Sequence, residues 1–365
     1  MFQSSWFCWI FCLISSHFSY LLPQEIQKFQ HWPHKKLLIP LAHPIKTSPS
    51  ISSLENLAFA NDKPFEDIFQ HQSLTCWNRS NHIFPAAFPR TWSGSTSNPQ
   101  LSASLSNLSD PKDIAFELHA QNLSAQLVID PLNAKQPQLF ISVARYYRKP
   151  QFITPLHHPL TLLLTHANGL HKETWEPTLA HLLSSSAGQN ILEVWSFDVV
   201  NHGQSATINR SHLGTVFDWS DNARDILHFI LSYLPHHQSA QSVLPKVLPR
   251  LNQFNPSFLL LDNCPPSVIL PHKFRNRRLG LVGHSLGGCT AALAATSLPE
   301  LFSIVILVDP VIGPKHHDFT NNAQKLASSA VIRRDQWKNS SDALNRMKAK
   351  LDFFGRWNPM VLERY

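Results

Sequence analysis

The sequence predicts an α/β fold, a mostly parallel sheet with an antiparallel start and helices packed against it. Three observations carry that prediction. From Ile114 onward, short apolar runs alternate with helix-length segments, which is how a parallel sheet with crossover helices is written. Glycine is scarce, with 11 in 365 residues against about 25 at average usage. Ten of those 11 lie between Gly169 and Gly355, so the residue that permits sharp backbone turns is confined to the second half. Finally, a Gly-x-Ser-x-Gly turn, Gly283-His284-Ser285-Leu286-Gly287, stands between an apolar run and an alanine-rich segment.

Residues 114–130 and 138–147 read as two strands separated by a turn between Pro131 and Pro137. Leu160–Thr165, Ile191–Val200, Leu279–Val282 and Ile304–Val308 are four further strands. Helices are expected over Lys172–Leu183, Asp218–Leu234 and Leu286–Ser297. In the second of these, Ile226, Phe229, Ile230 and Tyr233 have the spacing of one buried stripe. Residues 235–277 are rich in Pro, Ser and Asn and too long for an ordinary connection, so they read as an insertion. The helical segment Asn321–Leu351 reads as the start of a cap spanning 320–365 over the sheet.

The first third has a different character. Ser5–Leu22 carries no Lys, Arg, Asp or Glu and reads as the apolar core of a signal peptide or a membrane anchor, so residues 1–22 form a separate hydrophobic segment. Sequons at Asn78, Asn107, Asn122, Asn209 and Asn339 are compatible with secretion, although Asn/Ser-rich chains produce them by chance. Residues 23–112, broken by prolines and serines, read as a poorly ordered extension, leaving 113–365 as the folded domain. The net charge of +7 names no ligand. The densest basic run, Lys273, Arg275, Arg277 and Arg278, lacks any nucleic-acid motif around it and reads as a solvated loop. The five cysteines have no metal-ligand spacing, and no dinucleotide or phosphate-loop motif is present, so neither metal nor cofactor is expected.

The Gly-x-Ser-x-Gly turn carries chemistry because a bend this tight forces Ser285 into a strained backbone. Gly283 and Gly287 remove the Cβ atoms that would otherwise collide. The helix that follows directs free N–H groups at developing negative charge, the Leu286 N–H first among them. A nucleophilic serine needs a base, and the base needs an orienting carboxylate. Asp309, at the carboxyl end of the strand beside the elbow strand, is the candidate acid.

The segments HANGLHKETWEP, NHGQS, GHSLGG, VILVDPVI, RRDQWKNSSDAL and FFGRWNPMVLERY together resemble the α/β-hydrolase superfamily. Within it, the chain looks most like the fungal hydrolases of toxin and polyketide pathways, some of which act on acyl-CoA thioesters. The resemblance covers Ile114 to Tyr365 and implies an α/β-hydrolase fold. It implies a second oxyanion N–H at Asn168, with Ala167 where the family usually has Gly. It implies that His166 braces a loop and that Asp198 and His202 pin a structural turn, leaving Ser205 no nucleophilic role. In this family the base follows the cap and the last strands, in the order Ser, acid, His. After Asp309 only His316 and His317 remain, so the resemblance implies a domain incomplete at its C-terminus with no catalytic His in this chain.

The expected function is therefore a serine hydrolase that cleaves a small-molecule ester or acyl thioester through an acyl-enzyme at Ser285. The alternatives are a catalytically inactive α/β-hydrolase-like binding protein and a non-functional gene fragment. Location is open between secretion or membrane contact through 5–22 and the intracellular, peroxisomal or cytoplasmic setting that the resemblance implies; oligomeric state is open too. Arg333, Arg334, Lys338, Arg346 and Lys348 read as a solvated cap face that could also meet a phosphorylated carrier.

Overall fold

The computed structural model describes residues 74–96, 136–152, 159–214, 217–235, 243–251, 277–313, 336–351 and 353–365, the backbone of 11–14, and single positions between 54 and 114 and at 334. Its strands are β1 (Phe11–Ile14), β2 (Trp77–Pro85), β3 (Phe140–Arg148), β4 (Leu160–Thr165), β5 (Ile191–Phe197), β6 (Arg278–His284) and β7 (Ile304–Val308). They form one sheet in the order β1-β7-β6-β4-β5-β3-β2. The pairs β5–β4, β4–β6 and β6–β7 are parallel, whereas β2–β3, β3–β5 and β1–β7 are antiparallel, so the sheet is mixed, with the expected antiparallel start and a second antiparallel edge at β1.

β4 and β5 are buried along nearly their whole length because strands central to such a sheet are covered on both faces. The helices are α1 (Glu176–Ser184), α2 (Gly203–Asn209), α3 (Trp219–Ser232), α4 (Leu286–Ser297), α5 (Ser340–Lys348) and α6 (Pro359–Arg364). On one face, Leu163, Trp195, Phe197 and Leu281 pack against Ile226, Phe229 and Ile230 of α3 and Ala291 and Ala294 of α4. On the other, Leu162, Leu164 and Val194 pack against Leu179 and Leu183 of α1.

α3 is capped by Asp218, whose side chain accepts the Ser220 N–H at 2.8 Å. Its expected stripe is buried, but so is the rest of the helix. The reason is electrostatic. Arg90 meets Asp225 at 2.7 Å and Asp221 at 3.4 Å, and Arg224 meets Asp221 at 2.6 Å, so the chain after β2 lies across the polar side of α3.

Several expectations are corrected. The antiparallel partner of β3 is β2, which lies inside the stretch read as a poorly ordered extension; Trp77, Ile83 and Phe84 are buried core residues. Of the strand expected over 114–130, all but Ile114 lies outside the described residues. β2 shows no strand pattern in sequence because five consecutive polar residues, Asn78 to His82, separate Trp77 from Ile83 and Phe84. The insertion is not wholly separate either: Ile83 donates to Lys246 O at 2.7 Å and receives the Leu248 N–H at 2.8 Å, tying 246–248 to β2. Within the hydrophobic segment 5–22, the four described residues are β1, paired antiparallel with β7. No helix among the described residues is long and apolar enough to cross a membrane. Asn209, one of the sequons, is a buried clamp that accepts from Phe140 N and donates to Phe140 O and Val200 O, leaving no room for a glycan in the folded chain.

Arg277 departs from the solvated loop expected of it. It is buried, donates to Pro235 O at 2.6 Å and lies 3.2 Å from Glu193. The other Glu193 oxygen takes Arg145 at 3.1 Å, so one buried carboxylate in β5 balances two buried guanidinium groups. Glu193→Ala removes the carboxylate that the two buried cations share, which costs about 3–5 kcal/mol for a broken buried pair. Urea unfolding of wild type and variant checks this, and an unchanged midpoint would show that the pair carries no net stability.

Candidate active site

The site is assembled where β4, β5, β6 and β7 end. Ser285 occupies the turn from β6 into α4 with φ 53° and ψ −113°, a left-handed backbone that a non-glycine residue adopts only when its surroundings force it. The forcing is steric. A Cβ on Gly283 would strike the Gly287 carbonyl, and one on Gly287 would lie 2.5 Å from Thr165 O. Thr165, the last residue of β4, completes the contact by donating its hydroxyl to Gly287 O at 3.0 Å. The first turn of α4 is thus clamped onto the end of β4.

Asp309 follows β7 and is the other non-glycine residue in the left-handed region among those described, with φ 42°. The two turns are tied by Ser285 N to Val308 O at 2.9 Å and Val311 N to Ser285 O at 3.3 Å. Ser285 and Asp309 therefore emerge from adjacent, mutually bonded turns. Asp309 is exposed, and Ser285 is half-buried. Among the described residues, neither is hydrogen-bonded to a histidine. His284 is the one that feels the Asp309 charge; burial holds it below its ordinary value while Asp309 acts in the opposite sense. His316 and His317 lie outside the described residues.

The turn 166–171 after β4 and the turn 198–203 after β5 are knitted into one unit. His166 is fully buried, donates from Nδ1 to Ala167 O at 2.8 Å and accepts the Val199 N–H on Nε2 at 3.1 Å, which assigns a neutral ring. Burial keeps it neutral. His202 accepts the Gly169 N–H on Nε2 at 2.9 Å, while Nδ1 faces Asn201 Oδ1 at 2.8 Å. It also lies 3.1 Å from the Asn168 side chain. Asp198 accepts from Lys172 N at 2.8 Å, Lys172 Nζ at 2.9 Å and Gln204 N at 2.9 Å. Gly203 sits at φ 51°, where a Cβ would lie 2.6 Å from the Asp198 carboxylate. Ser205, set aside above as a nucleophile, is buried and accepts the Ser142 N–H at 2.8 Å.

The motif reading overlooked an ionic cluster next to this unit. Lys172 is buried yet charged: burial opposes the ammonium, but Asp198 and Glu173 outweigh it and hold its pKa above the ordinary value. Glu173 bridges Lys172 and His171, each at 2.9 Å, and is held well below the usual carboxylate range against the effect of burial. Glu176 is buried, 2.9 Å from Arg79 Nε, accepts the Tyr146 hydroxyl at 2.8 Å and is paired with Arg364 of α6. The signal in the sequence was the repeated acid in KETWE, which cannot be told from an exposed helix start without knowing what covers it.

A match to the family described as alpha/beta hydrolase covers residues 162–363, more than half of the chain. The chain belongs to the α/β-hydrolase family. Similar proteins include a peroxisomal membrane protein, LPX1, of Saccharomyces cerevisiae, 32% identical over 155 residues that make up 42% of this chain and 31% of the relative. Another is a type I acyl-CoA thioesterase, mpaH, of Penicillium brevicompactum, 28% identical over 217 residues, 59% of this chain and 41% of the relative. A solved structure of the Saccharomyces peroxisomal alpha-beta-hydrolase Lpx1 aligns over 80% of this chain and 61% of its own, with 23% identity and a TM-score of 0.48. This α/β hydrolase thus spans less than half the length of those two curated relatives. Among its described residues, no group of three metal-ligating side chains is present.

The His202 bond gives the turn a pH limit. Burial, with His166 close by, pushes His202 from 6.5 down to about 4. The neutral ring is favoured in the folded chain, so its contribution to stability is complete above about 6.5 and is lost as pH falls toward about 4. Protonation of Nε2 would oppose two donors, His202 N–H and Gly169 N–H. Unfolding midpoints measured from pH 7 to 4 should fall for wild type, with a shallower fall for His202→Gln. Equal slopes would remove His202 from the account.

Proposed function

We propose that this α/β hydrolase is a serine hydrolase acting on a small-molecule ester or acyl thioester, with Ser285 as nucleophile. The observation that carries the reading is the Ser285 backbone, held at φ 53° between β6 and α4 where a helix N-terminus begins. A serine that served only to cap α4 would need no such strain. The mpaH relative, a type I acyl-CoA thioesterase by name, supports the thioester side of the reading.

In the proposed reaction the Ser285 oxygen attacks the acyl carbonyl carbon, and the carbonyl electron pair moves onto oxygen. The N–H groups of Leu286 and Asn168 hold that oxyanion. Collapse of the adduct breaks the C–O or C–S bond, the alcohol or thiol leaves with a proton, and water then hydrolyses the acyl-enzyme. Asp309 is assigned as the acid that orients the base. No base is assigned within these 365 residues. A second reading, a ligand-binding protein without turnover, is favoured by the lack of a histidine bonded to Ser285 or Asp309 among the described residues.

A serine-reactive fluorophosphonate separates the two. Covalent labelling of wild type, abolished in Ser285→Ala with the thermal melt unchanged, is the expected outcome. Absence of label on folded wild-type protein would sink the hydrolase reading and leave the binding one.

A further inference from the structure

The last helix, α6, packs on the turn Lys172–Trp175 and on α1. A cavity of about 490 Å³ lies between the C-terminal helices and the turns 166–171 and 198–203, with His171, Asn201 and His202 on one side and Arg334, Trp337 and Lys350 on the other. A second cavity of about 450 Å³ shares Trp337, Met347 and Tyr365 with it and continues along Leu344 and Leu362. The described lining of the first cavity carries Arg334 and Lys350, and that of the second has an apolar stretch, Ala343, Leu344, Met347 and Leu362, with Ser340, Ser341, Glu363 and Arg364 beside it.

Among the described residues, Arg334 and Lys350 have no ion-pair partner of the kind that Arg346 and Lys348 have. Arg346 is held by Asp342 at 2.9 Å, and Lys348 lies 3.6 Å from Glu363. Among the described residues, no aspartate or glutamate side chain lines the first cavity. Arg334 lies over the Trp337 ring at 4.9 Å and donates Nε to Gln336 O at 2.6 Å, and its terminal nitrogens have no carboxylate partner among the described residues. The carboxylate that feels its charge is Asp342, already engaged by Arg346. Lys350 has no carboxylate partner among the described residues. On the opposite wall, both His171 ring nitrogens face oxygens, Glu173 at 2.9 Å and Tyr365 O at 3.2 Å, the arrangement of an imidazolium already balanced by Glu173.

Two cations without a carboxylate partner among the described residues, beside an aromatic ring and a partly apolar groove, suit one class of ligand. We propose that this cavity is an anion-selective subsite for an amphiphilic substrate, with Arg334 and Lys350 holding its carboxylate or phosphate and the groove between α5 and α6 taking its apolar part. The wall formed by Gly169 and Leu170 belongs to the turn that carries Asn168, so a ligand seated here lies beside the proposed oxyanion site. That the ligand is the substrate rests on the Ser285 reading; that the site binds amphiphilic anions does not.

The test measures binding without turnover. Fluorescence of dansyl-undecanoate is followed on Ser285→Ala protein at low ionic strength and compared with its methyl ester. The acid should bind at least about tenfold more tightly than the ester. That preference should vanish in Arg334→Gln/Lys350→Gln and persist in Lys348→Gln, whose cation lies outside the cavity. Equal binding of acid and ester, or a preference that survives the double substitution, overturns the proposal. Displacement by octanedioate assigns the anion to the acyl group, displacement by pyrophosphate assigns it to the leaving group, and displacement by neither overturns the site. Anion-selective binding in a protein that no fluorophosphonate labels would reject the hydrolase reading alone.

Discussion

The first turn of α4 presses onto the carboxyl ends of β4 and β6 so closely that Gly287 has carbonyl oxygens where a Cβ would stand. Most of the site follows from that approach. It obliges the chain to reverse within a few residues after β6, which drives Ser285 into the left-handed region. It uses the Thr165 hydroxyl as a strut to Gly287 O. It also leaves the N-terminus of α4 beside the turn after β7, so that Ser285 and Asp309 share main-chain bonds. Strain of this kind costs on the order of 1–3 kcal/mol per residue and persists only where the surrounding packing over-determines the backbone. The apolar contacts of α4 with α3 and the sheet provide that packing.

A second constraint acts through charge. Asp198 at the end of β5 binds Lys172 on one side and the start of α2 on the other, so the loops after β4 and β5 cannot move independently. Lys172 passes the link to Glu173 and His171, and His171 reaches Tyr365 O. Glu176 anchors the same C-terminal helix through Arg364. A continuous ionic and hydrogen-bonded path therefore joins the turn that bears Asn168 to the helices that roof the neighbouring cavity. Such buried charges give modest net stability, because desolvation offsets much of their attraction. Their effect is to define one relative placement of loop and helix, since each unpaired alternative strands a charge.

Much of the fold could be read in the sequence where the pattern was unmixed. β4, β7 and α4 fall on the expected residues, because an all-apolar run bounded by turn residues, or an alanine-rich run after a glycine pair, admits few other structures. The elbow was legible for the same reason: two glycines flanking a serine between a strand and a helix encode a steric requirement directly. β2 was not. Its residues WNRSNHIFP read as polar loop until β3 is known to pair with them. The buried arginines were likewise invisible, since Arg277 in its basic run has no local feature that distinguishes it from Arg278, which is exposed.

The sequence by itself determined the local conformations where its pattern is unmixed, that is, β4, β7 and α4, the glycines of the elbow, and the strained turn at Ser285. These depend on sterics and periodicity within a few residues, and so they are written locally. Tertiary structure alone decided which charges are balanced. Glu193 serves Arg145 and Arg277 from distant parts of the chain, and Asp198 after β5 serves Lys172 after β4. Charge balance is a property of positions brought together by folding, and no spacing along the chain reports it.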